Sequence, residues 1–248
     1  MSPRPPLRIE AASRTDVGLV RERNEDAYGE LSFDGGRLFV VADGMGGHAG
    51  GETASRLAVE AVQEVFERAS GESGRRLHEA MEAANLRVHE ASHRDPSLAG
   101  MGTTGVALVI DADAAWVANV GDSRVYRLRD SELVQLTRDH SVVAEMVRRG
   151  VLTADQALIH PRRNEVLRSL GTSPDVEVDV DRVDVAAGDV FVLCSDGLSG
   201  VVDDAAIAAF LDDASPSEAS LALVEAAIGQ GAPDNVTVQV VKVASPGL

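Results

Sequence analysis

Short β-like runs that recur along the whole chain, two helical patterns in succession with no strand between them, and a capped helix near the C-terminus predict an α+β fold. It should be a sandwich of antiparallel sheets, since the strict strand–helix–strand alternation of a parallel sheet is absent. The runs cover residues 38–42, 106–110, 115–120, 124–128, 190–194 and 236–243, and are dominated by Val, Leu, Ile and Ala.

Between the first two runs, Leu57, Ala61 and Val65 share one face of a helical pattern. Leu77, Met81, Ala84, Val88 and Ala91 recur at steps of four and three in the next. His78, His89 and His93 fall on the exposed side of that second pattern and read as bystanders. Ser215-Pro216-Ser217-Glu218 supplies an N-cap, a proline at the first helical position and the glutamate of a capping box, so a helix should run from there to about residue 228. Residues 141–175 are helix-like and interrupted by His160-Pro161. Ser141 reads as a helix cap after the turn at His140, and Thr153-Ala154-Asp155-Gln156 has the form of a capping box. Arg148, Arg149, Arg162, Arg163 and Arg168 make this stretch a basic island, either a solvated helical hairpin or a flap that meets substrate.

The 248 residues, 44% hydrophobic and 25% charged, suit one domain spanning 1–248 with an insertion at about 141–175. Forty Asp and Glu against 23 Lys and Arg give a net charge of −17, which repels a phosphate backbone and excludes nucleic acid as a partner. The single cysteine, Cys194, sits in an apolar run and reads as a small buried hydrophobe. No apolar stretch has the length of a membrane helix, and residues 1–10 lack the apolar middle of a signal peptide. A cytoplasmic, monomeric chain is expected.

Several acidic residues stand where a strand-like run ends: Asp43-Gly44, Asp196-Gly197, and Asp234-Asn235 before the last run. Any one Asp-Gly pair is more often a turn, but carboxylates placed jointly on strand ends form a site. With no cysteine partners and few histidines nearby, the donors are all oxygen, which suits Mg²⁺ or Mn²⁺. Calcium is disfavoured by the lack of EF-hand spacing.

Seven ordered motifs carry a resemblance across nearly the whole chain. They are Thr15-Asp16-Val17-Gly18 with residues 20–26 (VRERNED), residues 41–48 (VADGMGGH), Gly102-Thr103-Thr104, Asn119-Val120-Gly121-Asp122-Ser123-Arg124, Leu136-Thr137-Arg138-Asp139-His140-Ser141, Ser195-Asp196-Gly197-Leu198 and Asp234-Asn235-Val236-Thr237. In these the chain resembles the protein phosphatase 2C family of metal-dependent protein serine/threonine phosphatases, in its compact bacterial form. The resemblance implies a four-layer α/β/β/α sandwich, two central antiparallel sheets flanked by helices, with two Mn²⁺ or Mg²⁺ ions at one end. By similarity Asp43 bridges both ions, Gly44 offers its carbonyl to one, Asp196 and Asp234 complete the other, and Glu25 and Asp26 act at the ions or through waters. Arg21 would hold the phosphate. Two cations would turn a bridging water into a nucleophile near neutral pH and neutralise the phosphoryl oxygens.

Bacterial members commonly hold a third, weaker ion, which Asp122 and Asp196 would share here. Animal members carry another aspartate at the position of Gly200. His48 stands before Ala49-Gly50 like the family's candidate general acid, although Met45-Gly46-Gly47 sets it farther from the Asp-Gly than in animal relatives. Partners would be phosphoproteins, including the Ser/Thr kinases that such phosphatases oppose.

Two rival readings differ in class. Residues 44–49 fit G-x-G-x-x-[GA] between a strand and a helix, as in a dinucleotide-binding domain, but Asp43 would set a negative charge beside the pyrophosphate. A catalytically dead phosphoprotein binder is the other; every ligand the resemblance requires is present, which favours an enzyme.

Overall fold

The structure, a computed structural model, describes residues 8–46, 50–111 and 114–244. Among these residues eleven strands form two antiparallel sheets. The first combines β1 (Arg8–Asp16), β11 (Val236–Ala244), β10 (Val190–Cys194), β7 (Arg124–Arg129) and β8 (Glu132–Gln135), in that spatial order. The second runs β2 (Asp26–Phe33), β3 (Gly36–Met45), β5 (Gly105–Asp111), β6 (Ala115–Val120) and β9 (Asp179–Val183), with the two-residue β4 (Gly102–Thr103) beside the end of β3. All six strand-like runs of the sequence are strands, and β1, β2, β8, β9 and the short β4 join them from outside that pattern.

The central strands are buried on both faces, and their alternation sorts the side chains into separate layers. Along β3, Leu38, Val40 and Ala42 face the helices, while Phe39 and Val41 enter the layer between the sheets. From the opposite sheet, Phe191, Leu193, Val241 and Val243 enter that layer, while Val190, Val192 and Cys194 face the other way. Cys194 is buried as a small hydrophobe, as its surroundings in sequence suggested.

Helices cover both outer faces. α1 (Gly50–Arg68) and α2 (Ser73–Arg94) pack on the second sheet through Ala54, Ala58, Val62, Leu77, Met81 and Val88. α6 (Asp204–Leu211) and α7 (Pro216–Gly229) pack on the first, through Ile207, Leu211, Leu223 and Ala227. The four-layer arrangement is therefore as expected. At the start of α7, Ser215 Oγ accepts the Glu218 N–H at 3.3 Å while the Glu218 carboxylate accepts the Ser215 N–H at 3.0 Å, with Pro216 at the first position. The glycine-rich segment after β3 leads into two helices, and β3 is antiparallel to both β2 and β5. No βαβ unit exists there, which removes the dinucleotide-binding reading.

In residues 141–175, Ser141 caps α3 (Val142–Arg148) and Thr153 with Gln156 boxes α4 (Ala154–Leu158). The basic island is largely self-paired: Arg148 and Arg149 with Glu145, Arg162 with Glu165, and Arg168 with Glu177 and Asp179. His89 is less of a bystander than its helical position implied, since its Nδ1 lies 3.1 Å from the Gly171 carbonyl and ties α2 to the end of that segment. Among the described residues no helix is long and apolar enough to cross a membrane.

Phe191 is fully buried between the sheets. Phe191→Ala should cost about 3–5 kcal/mol of unfolding free energy, since two rigid sheets collapse poorly onto the void. Urea denaturation checks this, and a loss under 1 kcal/mol would mean that the sheets do not meet there.

Candidate active site

The layer between the sheets is apolar in its middle and turns acidic at one end. Asp43 continues the inward-facing series of Phe39 and Val41, and Asp26 is its direct partner across the β2–β3 ladder. From the other sheet, Ser195 continues the series of Phe191 and Leu193, and its hydroxyl donates to Asp26 Oδ2 at 2.7 Å while accepting the Thr237 N–H at 3.0 Å. Asp196 follows it and opens the short helix α5 (Asp196–Ser199). Asp122 stands where the chain crosses from β6 in one sheet to β7 in the other, and Asp234 just before β11.

Two glycines let these segments close up. A Cβ on Gly44 would collide with the Gly51 carbonyl, and one on Gly197 with the Asn235 carbonyl. Asn235 is a hub: its side-chain oxygen accepts the Glu25 N–H at 2.8 Å, and its NH₂ donates to the Val17 and Arg23 carbonyls at 2.9 Å each. Thr104 binds Asp43 from the other side, its hydroxyl accepting the Asp43 N–H at 3.0 Å, and it meets Ser123 Oγ at 2.7 Å. Glu25 shares the pocket, with its carbonyl accepting the Gly44 N–H and the Ser55 hydroxyl.

The carboxylates repel one another. Asp26 is pushed up to about 7, first by burial and then by Asp196 and Asp234, against relief from Thr237 and Ser195. Asp122 is likewise pushed up to about 7 by burial, then by Asp196 and Asp139. Burial, followed by Asp26, Asp196, Asp122 and Asp234, holds Asp43 well above the usual carboxylate range. Asp196, within hydrogen-bond reach of Asp43, is raised by burial and by Asp234. Arg21 supplies a local cation, its guanidinium donating to Asp234 Oδ2 at 2.7 Å while half of the side chain stays in solvent.

The predicted residues Arg21, Glu25, Asp26, Asp43, Gly44, Asp122, Asp196 and Asp234 thus gather at one end of the sandwich. His48, with Gly47 and Ala49, lies outside the described residues. Among the described residues no three His, Cys, Asp or Glu side chains stand in ready-made ligand geometry. The donor set nonetheless fits a hard divalent cation: Asp26 Oδ1 is buried without a hydrogen-bond partner, inside a set of oxygens whose negative charges lack compensation.

Behind Asp122 lies a network that sequence reasoning read only as a turn. His140 is buried; its backbone N–H donates to the Gly121 carbonyl at 2.8 Å, and its Nδ1 accepts the Gly121 N–H at 3.2 Å. The proton therefore sits on Nε2, which faces Asp179 at 3.2 Å, and burial keeps the ring's pKa below its usual value. Arg124 grips Asp139 through Nε and Nη2, at 3.1 and 2.7 Å. The Asp-His-Ser run was visible in sequence, but its partners are 19 and 39 residues away.

A family model described as protein phosphatase 2C matches residues 20–226. The chain is 40% identical over 238 residues to the serine/threonine protein phosphatase PstP of Mycobacterium tuberculosis, covering 96% of this chain and 45% of that protein, so it spans less than half of that relative's length. It is 36% identical to the serine/threonine phosphatase stp of Listeria monocytogenes, over 94% of this chain and 96% of the relative. The crystal structure of the PstP catalytic domain in complex with two manganese ions superposes with a TM-score of 0.87 at 37% identity, covering 96% of this chain and all of that one. The family match over most of the chain, with two inward-facing aspartates paired across β2 and β3, places this chain in the protein phosphatase 2C family.

Proposed function

We propose that this chain is a metal-dependent protein phosphatase that hydrolyses phosphoserine and phosphothreonine. The observation that carries the reading is the ring of mutually repelling carboxylates at the end of the sandwich, with Asp26 Oδ1 unpaired and a half-exposed guanidinium beside it. The similar PstP catalytic domain binds two manganese ions, and two ions, Mn²⁺ or Mg²⁺, suit the oxygen donors here. Bound there, such ions would lower the pKa of water and neutralise phosphoryl oxygens during in-line attack.

Asp43, Asp196 and Asp234 are the holding carboxylates, Glu25 and Asp26 support them directly or through water, and Gly44 contributes its carbonyl. Asp122 with Asp196 would serve a third, weaker position, short of protein donors because Gly200 has no side chain to offer. Arg21 exchanges Asp234 for the substrate phosphate, whose oxygens match its planar fork. The substrates are phosphoproteins, among them Ser/Thr kinases, and the 141–175 segment is the flap at their entrance.

Hydrolysis of p-nitrophenyl phosphate and of a phosphothreonine peptide should require Mn²⁺ or Mg²⁺ and stop with chelator; full turnover in EDTA would end the reading. Asp43→Ala should lower kcat by about two orders of magnitude or more while the circular dichroism spectrum is retained. Arg21→Ala should act mainly on KM and on inhibition by inorganic phosphate, because the contact exists before the transition state as well as in it. A loss confined to kcat would contradict it.

The raised carboxylates add a thermal test. A group raised in the fold stabilises it below its ordinary pKa, 3.8 for aspartate, and that stability is lost as pH rises through about 7 for Asp26 and Asp122. Chelator-treated protein should therefore melt lower at pH 8 than at pH 5, and Mn²⁺ should raise the melting temperature more at pH 8. An equal Mn²⁺ effect at both would show that the cluster is not where the ion binds.

A further inference from the structure

A groove of about 750 Å³ starts at Asp122 and Asp196 and runs between the 141–165 stretch and the start of α6. It is far larger than a phosphoryl group and continuous with the carboxylate cluster. Val147, Leu158 and Val202 give it apolar patches, and Leu158 stays 62% exposed. Three large apolar side chains, Val151, Leu158 and Ile159, lie exposed in this one stretch, and Leu167 follows just after it.

The charges along the groove are either committed or free, and Asp204, in the first turn of α6, is an anion without an ion-pair partner among the described residues. Arg124 is spent on Asp139, Arg148 on Glu145 and the Asp139 carbonyl, and Asp203 on the N-cap of α6. Arg138 and Arg163 also line the groove, and among the described residues neither has an ion-pair partner. Arg138 just precedes the 141–175 segment and Arg163 lies within it, where most other arginines are paired, so on a chain of net charge −17 these two exposed cations are the uncommitted positive charge of this surface.

We propose that the groove binds the substrate chain flanking the phosphorylated residue, and that it selects an acidic side chain for Arg138 and Arg163 next to an apolar one for Leu158 and Val147. This rests on the phosphatase reading above and names its substrate class. The long-range repulsion from the acidic chain is screened within about 8 Å at physiological ionic strength, so contacts inside the groove decide the preference.

The test uses phosphothreonine peptides that differ at the flanks, with Glu, Gln or Lys and with Leu or Ser, placed on either side of the phosphoresidue. Each rate is divided by that on p-nitrophenyl phosphate, which is too small to reach the groove wall. On one side, kcat/KM with Glu should exceed that with Lys by about three- to tenfold, the worth of one or two exposed ion pairs. The order should invert in the double variant Arg138→Glu with Arg163→Glu, and the Leu preference should vanish in Leu158→Ser. Single Arg138→Gln and Arg163→Gln variants, both at exposed positions, should each flatten part of the ranking.

A ranking flat within twofold in the unaltered chain, or unchanged in the double variant, overturns the proposal while leaving the phosphatase reading in place. Absence of Mn²⁺-dependent hydrolysis of p-nitrophenyl phosphate by the unaltered chain overturns both.

Discussion

Face-to-face packing of the two sheets is the constraint on which the rest of this structure depends. Because side chains alternate along a strand, every residue that closes the space between the sheets has neighbours two positions away that must do the same. Phe39 and Val41 therefore commit Asp43 to the inner layer, and Phe191 and Leu193 commit Ser195. The acidic end of the sandwich is the apolar middle continued past the point where hydrophobic side chains stop. Carboxylates that solvent would keep apart are held together because the strands beneath them cannot separate.

That enforced proximity is tolerated because the polar groups around it are well paired. Asn235 satisfies three main-chain groups of residues 17–25 at once, Ser195 links the sheets, and Thr104 ties Asp43 to the crossing that carries Asp122. A buried network of this kind is rigid when complete and expensive when one member is lost. The bonds of Asn235, Ser195 and Thr104 thus brace a centre that carries excess negative charge, and rigid placement of that charge is what a cation site requires.

The central strands and the helices were legible in the sequence because they are buried on both faces or along a stripe. Apart from the two-residue β4, too short to carry a pattern, the strands that the sequence does not reveal are β1, β2, β8 and β9, the four sheet edges. None of them has a fully buried residue. An edge strand has neighbours on one side and solvent on the other, so Arg8–Asp16 and Asp179–Val183 carry charges where a central strand carries valine. Of the site, Asp43, Asp196 and Asp234 were legible from their places at strand ends. The work of Asn235, Ser195 and His140 was not, because it lies in bonds to residues 19 to 218 positions distant, which local pattern does not encode.

The place of β11 in its sheet governs the order in which the sandwich can be assembled. It is the single strand that pairs with β1 among the described residues, and it separates β1 from β10. Among the described strands β1 therefore has no ladder until β11 is made. Asp234 and Asn235 come just before that strand, so a nascent chain still short of residue 234 can hold the helix-covered second sheet but neither the Asn235 bonds to residues 17–25 nor a complete acidic cluster. Competence for chemistry in this topology waits for the strand that opens at Val236.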